Sequence, residues 1–122
     1  MELKIVRVDA RGSASSEYLI IKVLQDCNLK QFMICDKTFN SDGSPSNKHR
    51  HVYFFPSCEV REGEYVWLNT CPGKDCKNRA NGGQRAHEFF WGLNSSVWND
   101  GGDKAHLIKI AEIETLDVPP IA

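Results

Sequence analysis

The chain has 122 residues, 41% of them hydrophobic, with a formal net charge of −1. A chain of this length buries roughly two thirds of its unfolded surface, so a single domain over residues 1–118 needs neither metal nor disulfide to close its core. The near-neutral charge excludes a global drive toward nucleic acid or an anionic membrane, and no apolar run approaches the ~20 residues of a membrane span.

The first eight residues, Met1 to Val8, alternate apolar with charged side chains and lack the continuous apolar stretch of a secretion signal. Period-two patterning dominates from there on, and no segment holds a 3.6-residue period for a dozen positions. It predicts strands over 3–8, 17–24, 31–36, 50–55, 64–69, 88–92 and 104–110, with 113–118 as a last candidate. In the second, Leu19, Ile21 and Val23 share one face while Tyr18 and Lys22 share the other. In the seventh, Ala105 and Leu107 point one way but Ile108 and Ile110 the other, which requires either a bulge or burial on both faces.

Gly-, Pro-, Asn- and Ser-rich stretches at 11–16, 40–47, 61–63, 72–83 and 99–103 separate these strands. The clearest turn is Asn99-Asp100-Gly101-Gly102, directly after Trp98, whose indole is expected to be buried against it. Val118-Pro119-Pro120 cannot extend a ladder, so 119–122 reads as a frayed tail. About seven to nine short strands with frequent turns predict an all-β antiparallel sandwich.

Three passages carry a family resemblance. Glu17-Tyr18-Leu19-Ile20-Ile21 resembles the early strand of lamin-tail domains. Tyr53-Phe54-Phe55-Pro56, then Val60-Arg61-Glu62-Gly63-Glu64-Tyr65-Val66, resembles their Phe-Pro and hydrophobic-x-x-Gly-x-x-Val passage. Trp98-Asn99-Asp100-Gly101-Gly102-Asp103 resembles their Trp-Asn-x-x-Gly-Asp turn. Together they span about residues 17–110 in the family's order. The family's Gly-Trp pair before the third strand is replaced by Lys30-Gln31-Phe32, and the 70–87 excursion is longer than the family's. The resemblance implies an immunoglobulin-like β-sandwich and a non-catalytic role, as in nuclear lamins and in bacterial modules appended to secreted enzymes. The lamin coiled-coil rod is absent, so filament formation is not implied.

Candidate chemistry concentrates in the excursion. Lys74, Lys77, Arg79 and Arg85 form a basic cluster there, and Lys48-His49-Arg50-His51 forms a second. If both lie at one end of the sandwich they make a positive patch able to contact phosphates; otherwise they are solvated loop charges that guard an edge strand. Phe89-Phe90-Trp91 carries aromatic bulk on both strand faces. Phe90 lies on the face opposite Phe89 and Trp91; one of the two faces must be core, and the other is either covered by the excursion or exposed to a partner. The binding candidates are therefore Lys74, Lys77, Arg79, Arg85, Phe90 and Trp91.

Five cysteines is an odd set for a disulfide scaffold and favours reduced thiols and a cytoplasmic setting, with Cys35 and Cys58 as small core residues. Cys71 and Cys76 are spaced to hold a metal with His49 and His51, or with His87, or to close a small ring, but two unlinked thiols is the preferred reading. Asp36, Asp42 and Ser41 are nominal partners for His49-Arg50-His51, but no spacing rule links them, and Gly82-Gly83 lacks the Lys-Ser/Thr of a phosphate loop. The sequence thus predicts no enzyme and no cofactor. It points to a contact module for a protein partner, with a nucleic-acid binder or a small zinc/thiol domain as alternatives.

Overall fold

The computed structural model describes residues 1–36, 42, 51–98 and 104–121. Their regular structure is all-β apart from one 3₁₀ turn, Leu29–Gln31. The strands are β1 (Leu3–Asp9), β2 (Tyr18–Val23), β3 (Cys27–Asn28), β4 (Phe32–Asp36), β5 (Val52–Phe54), β6 (Glu59–Val60), β7 (Tyr65–Asn69), β8 (Cys76–Arg79), β9 (Arg85–Phe90) and β10 (Ala105–Lys109). They form a five-stranded sheet in the order β1-β2-β7-β9-β8, a three-stranded sheet β10-β4-β5 and the short pair β3-β6.

The core lies between the larger sheets, an arrangement consistent with a β-sandwich. Leu19, Ile21 and Val23 of β2, Val66 and Leu68 of β7 and Phe89 of β9 meet Phe32 and Ile34 of β4. The alternation predicted for β2 is present, with Lys22 exposed and Tyr18 half-buried on the opposite face. In β1 the inward residues are Leu3, Ile5 and Val8, a spacing that strict alternation cannot satisfy. A bulge between Ile5 and Arg7 absorbs the extra residue, Val6, and keeps all three facing inward. β10 needs no such device: it pairs with β4 in unbroken register, and Ala105, His106, Leu107 and Ile108 are each half-buried, so both faces are partly covered.

Several expectations change. β9 begins at Arg85, three residues before the predicted start, because Ala86 and His87 are buried on opposite faces and extend the strand backwards. β8, β3 and β6 stand where turns or nothing were expected. Residues 113–118 form no strand; Ile113, Leu116 and Val118 lie exposed. The pairing is not antiparallel throughout: β7 and β9 run parallel, from Tyr65 opposite Ala86 to Asn69 opposite Phe90. Parallel neighbours require a long crossover, which the 70–84 excursion supplies. That excursion folds as the hairpin partner of β9, with β8 at the sheet edge. Its loop closes through Ala80 N–H to Gln84 O (2.8 Å) and Gly83 N–H to Ala80 O (2.9 Å), and Gly83 takes the positive φ of 87° that the reversal demands.

An aromatic ladder joins the two large sheets. Phe89 meets Phe55 edge-on at 5.3 Å, Phe55 meets Tyr53 at 5.1 Å, Tyr53 meets Trp91 at 5.9 Å, and Trp91 meets Trp98 at 6.2 Å. Burial, with Asp75 adding to it, pushes the Tyr53 hydroxyl up to about 12. Trp98 is buried as expected, at 3% exposure, although the 99–103 turn lies outside the described residues.

Beside Trp98 sits a fully buried carboxylate, Glu17, that the sequence reading passed over. Its Oε1 accepts from Ser96 Oγ (2.5 Å) and Gly12 N–H (3.1 Å). Oε2 accepts from Thr70 Oγ1 (2.6 Å) and from the N–H groups of Val97 (2.8 Å) and Trp98 (3.4 Å). Burial pushes this carboxyl up, but the donors of Ser96, Thr70, Val97 and Gly12 outweigh it, and the group stays below its ordinary value.

Candidate functional site

The β8–β9 hairpin gathers three of the predicted binding residues. Facing residues of an antiparallel pair share a sheet face, and here Lys77 opposes His87 while Arg79 opposes Arg85. Lys77, Arg79 and Arg85 therefore project from one face of the edge hairpin, all exposed. Cys76, Asn78 and Glu88 occupy the other.

The nearby acids are engaged elsewhere. Glu88 accepts from Asn78 Nδ2 (3.1 Å), Asn69 Nδ2 (3.3 Å) and Cys76 Sγ (3.6 Å) on the opposite face. Asp75 accepts from Phe90 N–H at 3.2 Å. Arg79 donates to the carbonyl of Gly83 at 2.9 Å. Among the described residues no ion pair involves Lys77, Arg79 or Arg85. Like charges paired across a ladder cost stability, although the Glu64 carboxylate is close enough to Arg85 to offset part of it.

The other three candidates lie apart. Lys74 is exposed in the loop before β8. Phe90 lies on the outer face, where the excursion covers it: a Cβ on Gly73 would stand 2.3 Å from the Phe90 ring, so only glycine allows this approach. Trp91 belongs to the aromatic ladder and donates its indole N–H to Val52 O at 3.2 Å. The six residues do not form one site.

The metal candidates do not converge either. His49 falls outside the described residues, as do Lys48 and Arg50. His51 is held by Asp36, through its N–H to Oδ1 (2.8 Å) and its Nδ1 to Oδ2 (3.3 Å). Cys71 is half-buried and Cys76 exposed, both as thiols. Burial and the charge of Glu88 push the Cys76 thiol up. Among the described residues no group of three or more His, Cys, Asp or Glu could hold a metal ion. No helix among them is long and apolar enough to cross a membrane.

No family model matches this chain, and no curated protein matches it.

Two features escaped the sequence reading. The first is a groove of about 260 Å³ on the solvent face of the five-stranded sheet. Tyr18, Ile20 and Trp67 floor it, Arg7 and Asp9 rim it from β1, and Gln84 approaches from the hairpin loop. Its one cation is already neutralised, since Arg7 Nε donates to Asp9 at 2.9 Å. The second is a relay through the buried His87. Its Nε2 lies 3.0 Å from Glu64 Oε1 and its Nδ1 lies 3.7 Å from Cys58 Sγ. The parallel register sets Val66 opposite His87, which brings Glu64, just ahead of β7, to the ring. Burial pushes the Glu64 carboxyl up, but His87 and the Arg61 N–H outweigh it and hold it below its ordinary value. No spacing in the sequence links positions 58, 64 and 87; only the strand pairing does.

Proposed function

We propose that this chain is a non-catalytic contact module, an immunoglobulin-like β-sandwich resembling a lamin-tail domain, that holds an acidic segment of a partner protein on its β8–β9 hairpin. The observation that carries the reading is the exposed run of Lys77, Arg79 and Arg85, none of them in an ion pair among the described residues, with the two arginines directly opposed in register. Such an arrangement disfavours the free hairpin and is relieved when carboxylates lie between the guanidinium groups. Three cations on a short edge hairpin suit a few carboxylates of a peptide better than the long phosphate track of a duplex. The order of the three lamin-tail-like passages supports the fold part of the reading.

The test is fluorescence anisotropy with a labelled Glu-rich peptide and, in parallel, a labelled single-stranded oligonucleotide. Wild-type protein is expected to bind the peptide more tightly than the oligonucleotide, and the triple variant Lys77→Glu, Arg79→Glu, Arg85→Glu to lose peptide binding. Peptide binding that survives the triple reversal overturns the proposal. The nucleic-acid reading rests on the same cations, and it gains if the oligonucleotide binds more tightly with a log–log salt slope of about −2, the value for three phosphate contacts on a single strand.

A further inference from the structure

The Cys58–His87–Glu64 relay has no part in the contact role proposed for the hairpin. Three segments supply it: the residue before β6, the middle of β9 and the residue before β7. Its order is thiol, imidazole, carboxylate. Glu64 is held as a carboxylate, so the ring nitrogen facing it, Nε2, carries the proton and donates at 3.0 Å. That fixes the tautomer. In the neutral ring Nδ1 is then the acceptor, and it faces Cys58 Sγ at 3.7 Å. A thiol beside a base that a third group orients is the arrangement that activates a nucleophile.

The surroundings separate Cys58 from the other thiols. His87 is 3% exposed, so the base is shielded from water, whereas Cys58 is only half-buried and open to a small reagent. Lys77 stands opposite His87 across the β8–β9 ladder, and its charge favours the Cys58 thiolate. Burial, the largest influence, pushes the thiol up, and the charges of Glu64 and Glu59 add to it as Glu88 does at Cys76, so Cys58 depends on proton removal by the ring, which Cys76 lacks. Cys76 is more exposed but faces Glu88 at 3.6 Å, a carboxylate that repels a thiolate. Cys35 is fully buried.

We propose that Cys58 is a base-assisted modification site that takes small disulfides, with His87 as the base and Glu64 as its positioning residue. As Sγ attacks one sulfur of the reagent disulfide, His87 Nδ1 takes the thiol proton. The Cys58 S–S bond forms, the reagent's S–S bond breaks, and the departing thiolate recovers the proton from the imidazolium. Cys58 is oxidised to the mixed disulfide, and the reagent is reduced to one thiol.

The experiment treats the whole protein with oxidised glutathione and follows each cysteine by mass mapping over time and pH. Cys58 is expected to react ahead of Cys76 and Cys71. His87→Gln is expected to slow Cys58 on the order of tenfold or more while leaving the Cys76 rate unchanged. The wild-type Cys58 rate should depend less steeply on pH than that of His87→Gln, which should follow the alkaline profile of an unassisted thiol. Should Cys35 become labelled in that variant, the fold has opened and Glu64→Gln decides. A severalfold loss at Cys58 with Cys35 still protected supports the relay, and an unchanged Cys58 rate overturns it. Faster labelling of Cys76 in the wild type, or a Cys58 rate indifferent to His87→Gln in a folded protein, also overturns it.

Discussion

The Glu17 corner and the β8–β9 hairpin are opposites in how they treat charge. At the corner one buried carboxylate receives five donors from three separate stretches of chain, Gly12, Thr70 and Ser96–Trp98. On the hairpin three cations share a face, and no ion pair among the described residues offsets them. A charge costs several kcal/mol to bury and almost nothing to leave in water, so only the first must be satisfied from within the fold. The contrast therefore separates a charge that holds the structure together from charges that remain available to something outside it.

The sharpest way to break the contrast is Glu17→Ala. It strands the hydroxyls of Ser96 and Thr70 and the amides of Val97 and Trp98 beside the core, and is expected to cost about 3–5 kcal/mol, read from urea unfolding monitored by tryptophan fluorescence. Stability within about 1 kcal/mol of wild type would show that the corner does not depend on the carboxylate. Glu17→Gln keeps the shape but loses the charge, and a cost of about 1–3 kcal/mol is expected.

Acid sharpens the same point. Glu17 and Glu64 are held below their ordinary value of 4.5 in the folded protein, so just below that pH the unfolded chain binds more protons than the folded one. Their contribution is complete above pH 4.5 and is lost as pH falls through the lowered folded values. Urea midpoints should fall steadily below that pH in the wild type and more shallowly in Glu17→Gln, where Glu64 and Glu2 remain. Equal slopes in the two proteins would remove Glu17 from the account.

The smallest effect has the opposite sign. Arg79→Glu places a carboxylate opposite Arg85 and is expected to stabilise the hairpin by about 0.2–1 kcal/mol, while peptide binding falls. A destabilised hairpin would mean that the two arginines do not repel in the folded state.

How much of this was legible in the chain depended on whether an element buries a face. β2 and β7 show their alternation plainly, because Leu19, Ile21, Val23, Val66 and Leu68 all enter the core. β8 is exposed at every position, so Cys76-Lys77-Asn78-Arg79 carries no pattern and reads as loop. β3 and β6 are two residues each, too short for any period to register. The basic cluster was visible as composition, but its division into a shared face, a loop lysine and two separated aromatics required the register. Glu17 sat inside a recognisable motif, yet nothing in the sequence marked it as buried, since its partners lie up to 81 positions away. Cys58, Glu64 and His87 stayed invisible for the same reason, with one parallel pairing bringing them together.

The reach of the Glu17 bonds has a consequence for synthesis on the ribosome. Val97, whose amide closes the corner, is made 80 residues after Glu17. β4 likewise gains its β10 neighbour only when Ala105–Lys109 emerge. Through most of translation the nascent chain therefore carries a carboxylate and an open sheet edge whose partners have not yet been made. Any fragment that stops before residue 96 lacks three of the five donors, however well its earlier strands pair.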